Sequence, residues 1–104
     1  MERTRVWQGT VKPEAGAEHE RFVAWLGGDE AATQYRKFLL TGYTLAQRGD
    51  ELTVTLAAEE PLAFIRFLRN HRMWPDFWEY RPAEPSGDPP GGEVRVRWRR
   101  EEPR

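Results

Sequence analysis

The stretch His71-Arg72-Met73-Trp74-Pro75-Asp76-Phe77-Trp78-Glu79-Tyr80 gathers four aromatic rings, two carboxylates and one of the chain's two histidines into ten positions. An imidazole can serve as a general acid–base near neutrality or as an axial ligand to haem. Aromatic walls suit a planar, polycyclic substrate. Asp76 and Glu79, three residues apart, offer a carboxylate base. Each reading has a structural counterpart. A histidine ending a helix interacts favourably with the helix dipole. Trp74, Trp78 and Tyr80 can equally be core or interface anchors, and the carboxylates a solvated pair. The candidate site is therefore His71 as the catalytic group, with Trp74, Trp78 and Tyr80 around the substrate. Gln8, on the first strand, adds a polar group pointing into the same space. His19, beside Glu18 and Glu20, reads as a surface residue.

Other chemistries find no foothold. Without cysteine there are no thiolate nucleophiles, zinc–thiolate sites or iron–sulfur clusters. No HxH, HExxH or facial-triad spacing occurs, so no metal is expected, and no cofactor either. The single serine, Ser86, lies among prolines and glycines, away from any triad context. Gly27-Gly28 and Gly91-Gly92 lack phosphate-loop spacing. The run Arg95-Val96-Arg97-Trp98-Arg99-Arg100 mixes arginine with an aromatic, as single-stranded nucleic-acid binders do. Yet Glu93, Glu101 and Glu102 flank it and the chain's net charge is -1, so a charge-protected edge strand is the better reading. No nucleic-acid partner is expected. Neither an apolar leader nor a membrane-length window appears, which points to the cytoplasm and to no membrane partner.

Positioning these residues falls to a chain of 104, room for one core. Thr4 to Val11 alternates as a strand, with Val6, Gln8 and Thr10 on one face and Arg5, Trp7, Gly9 and Val11 on the other. Glu14 to Leu26 has helical spacing, and Gly27-Gly28 ends it. Asp29 then caps a second helical segment holding Tyr35 and Phe38. Tyr43 to Gln47 and Leu52 to Ala57 form a hairpin around Arg48-Gly49-Asp50-Glu51. Glu59-Glu60-Pro61 opens another helix, and Phe77 to Arg81 is a further strand. Pro82 to Gly92 holds four prolines and three glycines in eleven residues, the composition of a linker. Residues 1–82 thus make the domain, 83–92 a linker, and 93–104 a strand-like arm.

The order strand–helix, strand–strand, helix–strand predicts a ferredoxin-like α+β sandwich. Along it, Arg5-Val6-Trp7-Gln8-Gly9, Arg48-Gly49-Asp50, and Thr55-Leu56 running into Glu59-Glu60-Pro61-Leu62-Ala63-Phe64 resemble the antibiotic biosynthesis monooxygenase-like family over roughly residues 3 to 81. That resemblance implies a homodimer in which two sheets pack face to face as an α/β barrel. An unpartnered sheet face in so small a domain argues the same way, and the arm offers a strand that can cross to the partner. The family includes cofactor-independent oxygenases of aromatic polyketides and haem-degrading enzymes. The haem-degrading branch uses Asn, Trp and His. Here Gln8 stands near the first, Ala57-Ala58 at the second, and His71 alone matches. Two function classes follow: a non-catalytic module binding a small aromatic ligand or a protein, and a cofactor-independent monooxygenase acting on an aromatic or polyketide-like substrate.

Overall fold

The computed structural model describes residues 2–71, 73, 75–82 and 92–100. Trp74, most of the linker and the last four residues lie outside them. Five strands and three helices follow in the order β1 (Arg3–Val11), α1 (Gly16–Leu26), α2 (Asp29–Lys37), β2 (Leu40–Arg48), β3 (Glu51–Ala58), α3 (Pro61–Asn70), β4 (Trp78–Pro82) and β5 (Glu93–Arg99). All pairings are antiparallel, and the sheet order is β4-β1-β3-β2-β5. The first four strands carry the ferredoxin-like order. The strand expected in the arm forms β5, which lies on β2 of its own sheet.

Local chemistry sets these boundaries. Gly28, not Asp29, occupies the cap of α2, and Asp29 with Glu30 fills its first turn while Arg36 and Lys37 fill its last. Both ends thus complement the helix dipole. Pro61 opens α3, where the absent N–H costs nothing. Gly49, at φ 60°, makes the β2–β3 turn in a conformation that side chains resist. Among the described residues, no helix is long and apolar enough to cross a membrane.

The sheet's two faces differ. Strand alternation sends Val11, Tyr43, Leu45, Leu52, Leu56 and Val96 to one face, all buried. That face carries the helices: α3 lies over β1 and β3, α2 over β2, and α1 against α2 and β5. The opposite face presents Val6, Gln8, Thr44, Thr53, Thr55 and Ala57, all half-buried. Gly9 fixes how β4 joins. A Cβ there would lie 2.9 Å from the Glu79 carbonyl, so only glycine lets β4 approach and bring Tyr80 opposite it.

Candidate functional site

Between the helix-bearing face and α3 lies a cavity of about 30 Å³. Trp7, Phe22, Tyr43, Ile65, Trp78 and Tyr80 form much of its wall, with aliphatic side chains of β3 and α3 completing it. Among the described residues, no charged side chain and no histidine lines it. The space suits a water molecule or two by size, but an apolar wall gives water few partners. Outside it, a groove of about 480 Å³ runs between α3 and the β1 and β4 strands, with Leu62, Arg66 and Arg69 on its rim. Trp7, Ile65 and Tyr80 line both spaces. These three side chains lie between an inner apolar cavity and an outer groove with a cationic edge.

Of the three, Tyr80 is held in place by a hydrogen bond. Tyr80 donates its hydroxyl to the Pro75 carbonyl at 2.9 Å, and burial raises its pKa far above the ordinary phenol value. Burial does the same to Tyr43. Both phenols therefore stay neutral, because ionising them would leave a desolvated charge. Neither phenol changes charge at physiological pH.

Behind the wall formed by Trp78 lies a buried polar chain. His19 is only 2% exposed. Trp78 Nε1–H donates to His19 Nδ1 at 2.9 Å, and His19 Nε2 lies 2.8 Å from Gln47 Oε1. An indole can only donate, so Nδ1 is the acceptor, and Nε2 carries the proton and donates to Gln47. Gln47 Oε1 also accepts from Arg95 at 2.9 Å, and its amide nitrogen donates to the Gly49 carbonyl at 2.8 Å. Arg95 continues outward to both carboxylate oxygens of Glu20, at 3.1 and 2.6 Å. That fork lowers the pKa of Glu20 and raises that of Arg95, as charge-assisted bidentate bonds do. Every nitrogen of His19 is engaged. Its one lone pair belongs to Trp78, so His19 positions the wall rather than taking a proton from a ligand.

The expectation of a surface His19 is thus corrected. The signal was present in the sequence: Ala15, His19, Val23 and Leu26 follow the helical period, and all four are buried. The charged neighbours Glu18 and Glu20 masked it.

Of the other predicted site residues, the fold brings Trp78 and Tyr80 together at the cavity. Gln8 sits on the opposite sheet face, across from Thr53 on β3 and Arg81 on β4. His71 is exposed at the end of α3, its ring 4.6 Å from that of Phe67, and it lines neither cavity nor groove. Asp76 and Glu79 are both exposed. Trp74 lies outside the described residues. Trp7, Phe22 and Ile65 had no role in the sequence-based site, because only the antiparallel register places Trp7 beside Val54 and near Tyr80. Among the described residues, no three His, Asp or Glu side chains converge as metal ligands.

Comparisons with family models, curated proteins and solved structures return no match to this chain.

Proposed function

We propose that the protein is a homodimeric binding module, holding a small aromatic or apolar ligand between sheet and α3 without altering it. The observation that carries this reading is an apolar cavity that shares Trp7, Ile65 and Tyr80 with an open groove and has, among the described residues, no charged side chain or histidine on its wall. Rotation of Trp7 and Ile65 beside the tethered Tyr80 would join the two spaces. Apolar pockets with few polar groups favour binding by burial, and the arginines on the groove rim suit an acidic or phenolic end of the ligand. The dimer would join two open sheet faces through the short, uncharged side chains Val6, Thr55 and Ala57 of the central strands, leaving Arg97 and Arg99 at the β5 edge of that face outside the contact. Burying this face answers the asymmetry of a sheet covered on one side.

Aromatic walls favour one alternative, an oxygenase in which a dry pocket exposes an electron-rich enolate to oxygen. That chemistry needs a base, and the described residues of the cavity wall supply none. The discriminating experiment is a thermal-shift screen with 1-naphthol, a polycyclic polyphenol and haem, with light scattering and oxygen uptake recorded on the same samples. The expected outcome is a Tm increase with the aromatic phenols, lost in Tyr80→Ala, a solution mass of twice the chain's, and unchanged ligand. Oxygen uptake with product formation would move the assignment to the oxygenase. Tm values indifferent to every compound would remove the binding reading.

A further inference from the structure

A second groove, independent of the cavity, lies where the C-terminal end of α2 meets the outer edge of β5. It encloses about 640 Å³, and its walls include Arg36, Leu39, Trp98, Arg97, Arg99 and Arg100. None of these four arginines is in an ion pair or hydrogen bond with its side chain among the described residues. Arg95, by contrast, is spent on Glu20 and Gln47. Four cations around one concavity raise its affinity for anions.

Three further observations narrow the occupant. β5 pairs with β2 on one side only, so its outer edge offers a row of backbone donors and acceptors that no described strand takes. Such an edge accepts an added strand. Leu39 is 56% exposed and sits at φ 57°, just past the last turn of α2. Glycine is the usual residue in that conformation, so this leucine is held out at the groove's lip despite the strain. Trp98 packs its ring on Tyr35 at 5.1 Å and is half-buried, so it serves the groove as an apolar contact anchored in the core.

Strand alternation assigns the pattern. Arg97 and Arg99 lie opposite Thr44 and Gly42, on the helix-free face, while Trp98 lies opposite Tyr43 on the helix side. A strand laid along β5 would set acidic side chains beside Arg97 and Arg99, and apolar ones beside Trp98 and Leu39. A second copy of β5 centred on Arg97 would instead oppose arginine with arginine. We infer that this groove binds an extended peptide segment of alternating acidic and apolar residues, added to the sheet as a sixth strand.

Fluorescence anisotropy with a labelled Glu-Val-Glu-Leu-Glu-Val-Glu peptide tests this on the full chain. Binding should weaken with added salt, shift the amide resonances of residues 96–99, and fall at least about tenfold in R97E/R99E. R3E/R5E, at an arginine pair elsewhere on the surface, should bind as the parent does. A peptide N-methylated at alternate backbone positions keeps every charge but cannot pair with β5, and it should not bind. No binding by the parent peptide would overturn the inference, as would equal binding by the N-methylated form. Tighter binding of oligothymidylate than of the peptide would assign the groove to nucleic acid instead.

Discussion

The space between sheet and helices is aromatic at both ends, but only one end is filled. Toward α2, Tyr35 meets Tyr43 at 5.3 Å, Phe64 at 5.6 Å and Trp98 at 5.1 Å, and its hydroxyl donates to the Leu26 carbonyl at 2.8 Å. Tyr35 and Phe64 have no exposed surface. Toward β4, Phe22 meets Trp78 at 5.4 Å and Trp78 meets Tyr80 at 6.1 Å, yet the cavity remains. The difference lies in what fixes the rings. At the filled end, Tyr35 stacks on Tyr43, meets Phe64 edge to face and tilts against Trp98, and the interlocked rings leave no room to move. At the hollow end, Trp78 is fastened from behind by His19 and Tyr80 by Pro75. Rings tethered at their polar tips cannot slide inward, and the void survives as a consequence of the polar chain.

The largest effect should come from breaking the filled end. Phe64→Ala removes a fully buried ring contacting Tyr35, Tyr43, Phe38 and Phe67, and should cost about 3–5 kcal/mol in urea denaturation. For a domain of ordinary stability that is a large share of the total. Phe22→Ala, at the half-buried hollow end, should cost clearly less. Equal losses would mean that the two ends are packed alike.

The tether is the next target. His19→Leu leaves the Trp78 indole N–H buried without an acceptor, and should cost about 1–3 kcal/mol. Trp78→Phe removes the donor but leaves Nδ1 unpaired. The double variant removes both halves of the bond, so its loss should fall short of the sum of the two singles. Additive losses would show that the bond does not couple the two residues.

How much of this was legible in the sequence follows from the range of the interactions. The elements were readable, because periodicity and turn chemistry act over a few residues: the hairpin around Gly49, the helix after Pro61 and the strand Glu93–Arg99 all formed where their patterns placed them. The ferredoxin-like order followed from that sequence of elements. The site was only half readable. Trp78 and Tyr80 reach the cavity because aromatics in a short strand must face a core. Gln8 was expected to reach the same space, but strand parity puts it on the helix-free face, one residue out of step with Trp7. The polar chain was hidden, since His19 meets Gln47 and Trp78 across 28 and 59 residues, and nothing local announces such a meeting.

The smallest expected effect bears most directly on the hollow end. Val54, 8% exposed, faces the cavity from β3. Val54→Ile adds one methylene toward a void of about 30 Å³, which at roughly 24 cal/mol per Å³ is worth at most ~0.7 kcal/mol of added stability. An over-packed core would respond in the opposite direction, since inserted methylenes force neighbours off their rotamers. The sign of a small shift in the urea midpoint therefore decides whether the void can accept an atom. Binding supplies the second half of the test. If the chamber is where an aromatic ligand settles, the same methylene that stabilises the free protein must weaken the ligand, because both compete for one volume. A variant that is more stable and binds 1-naphthol as tightly as the parent would show that the ligand stays in the outer groove, and that Trp7, Ile65 and Tyr80 form its floor and not a door.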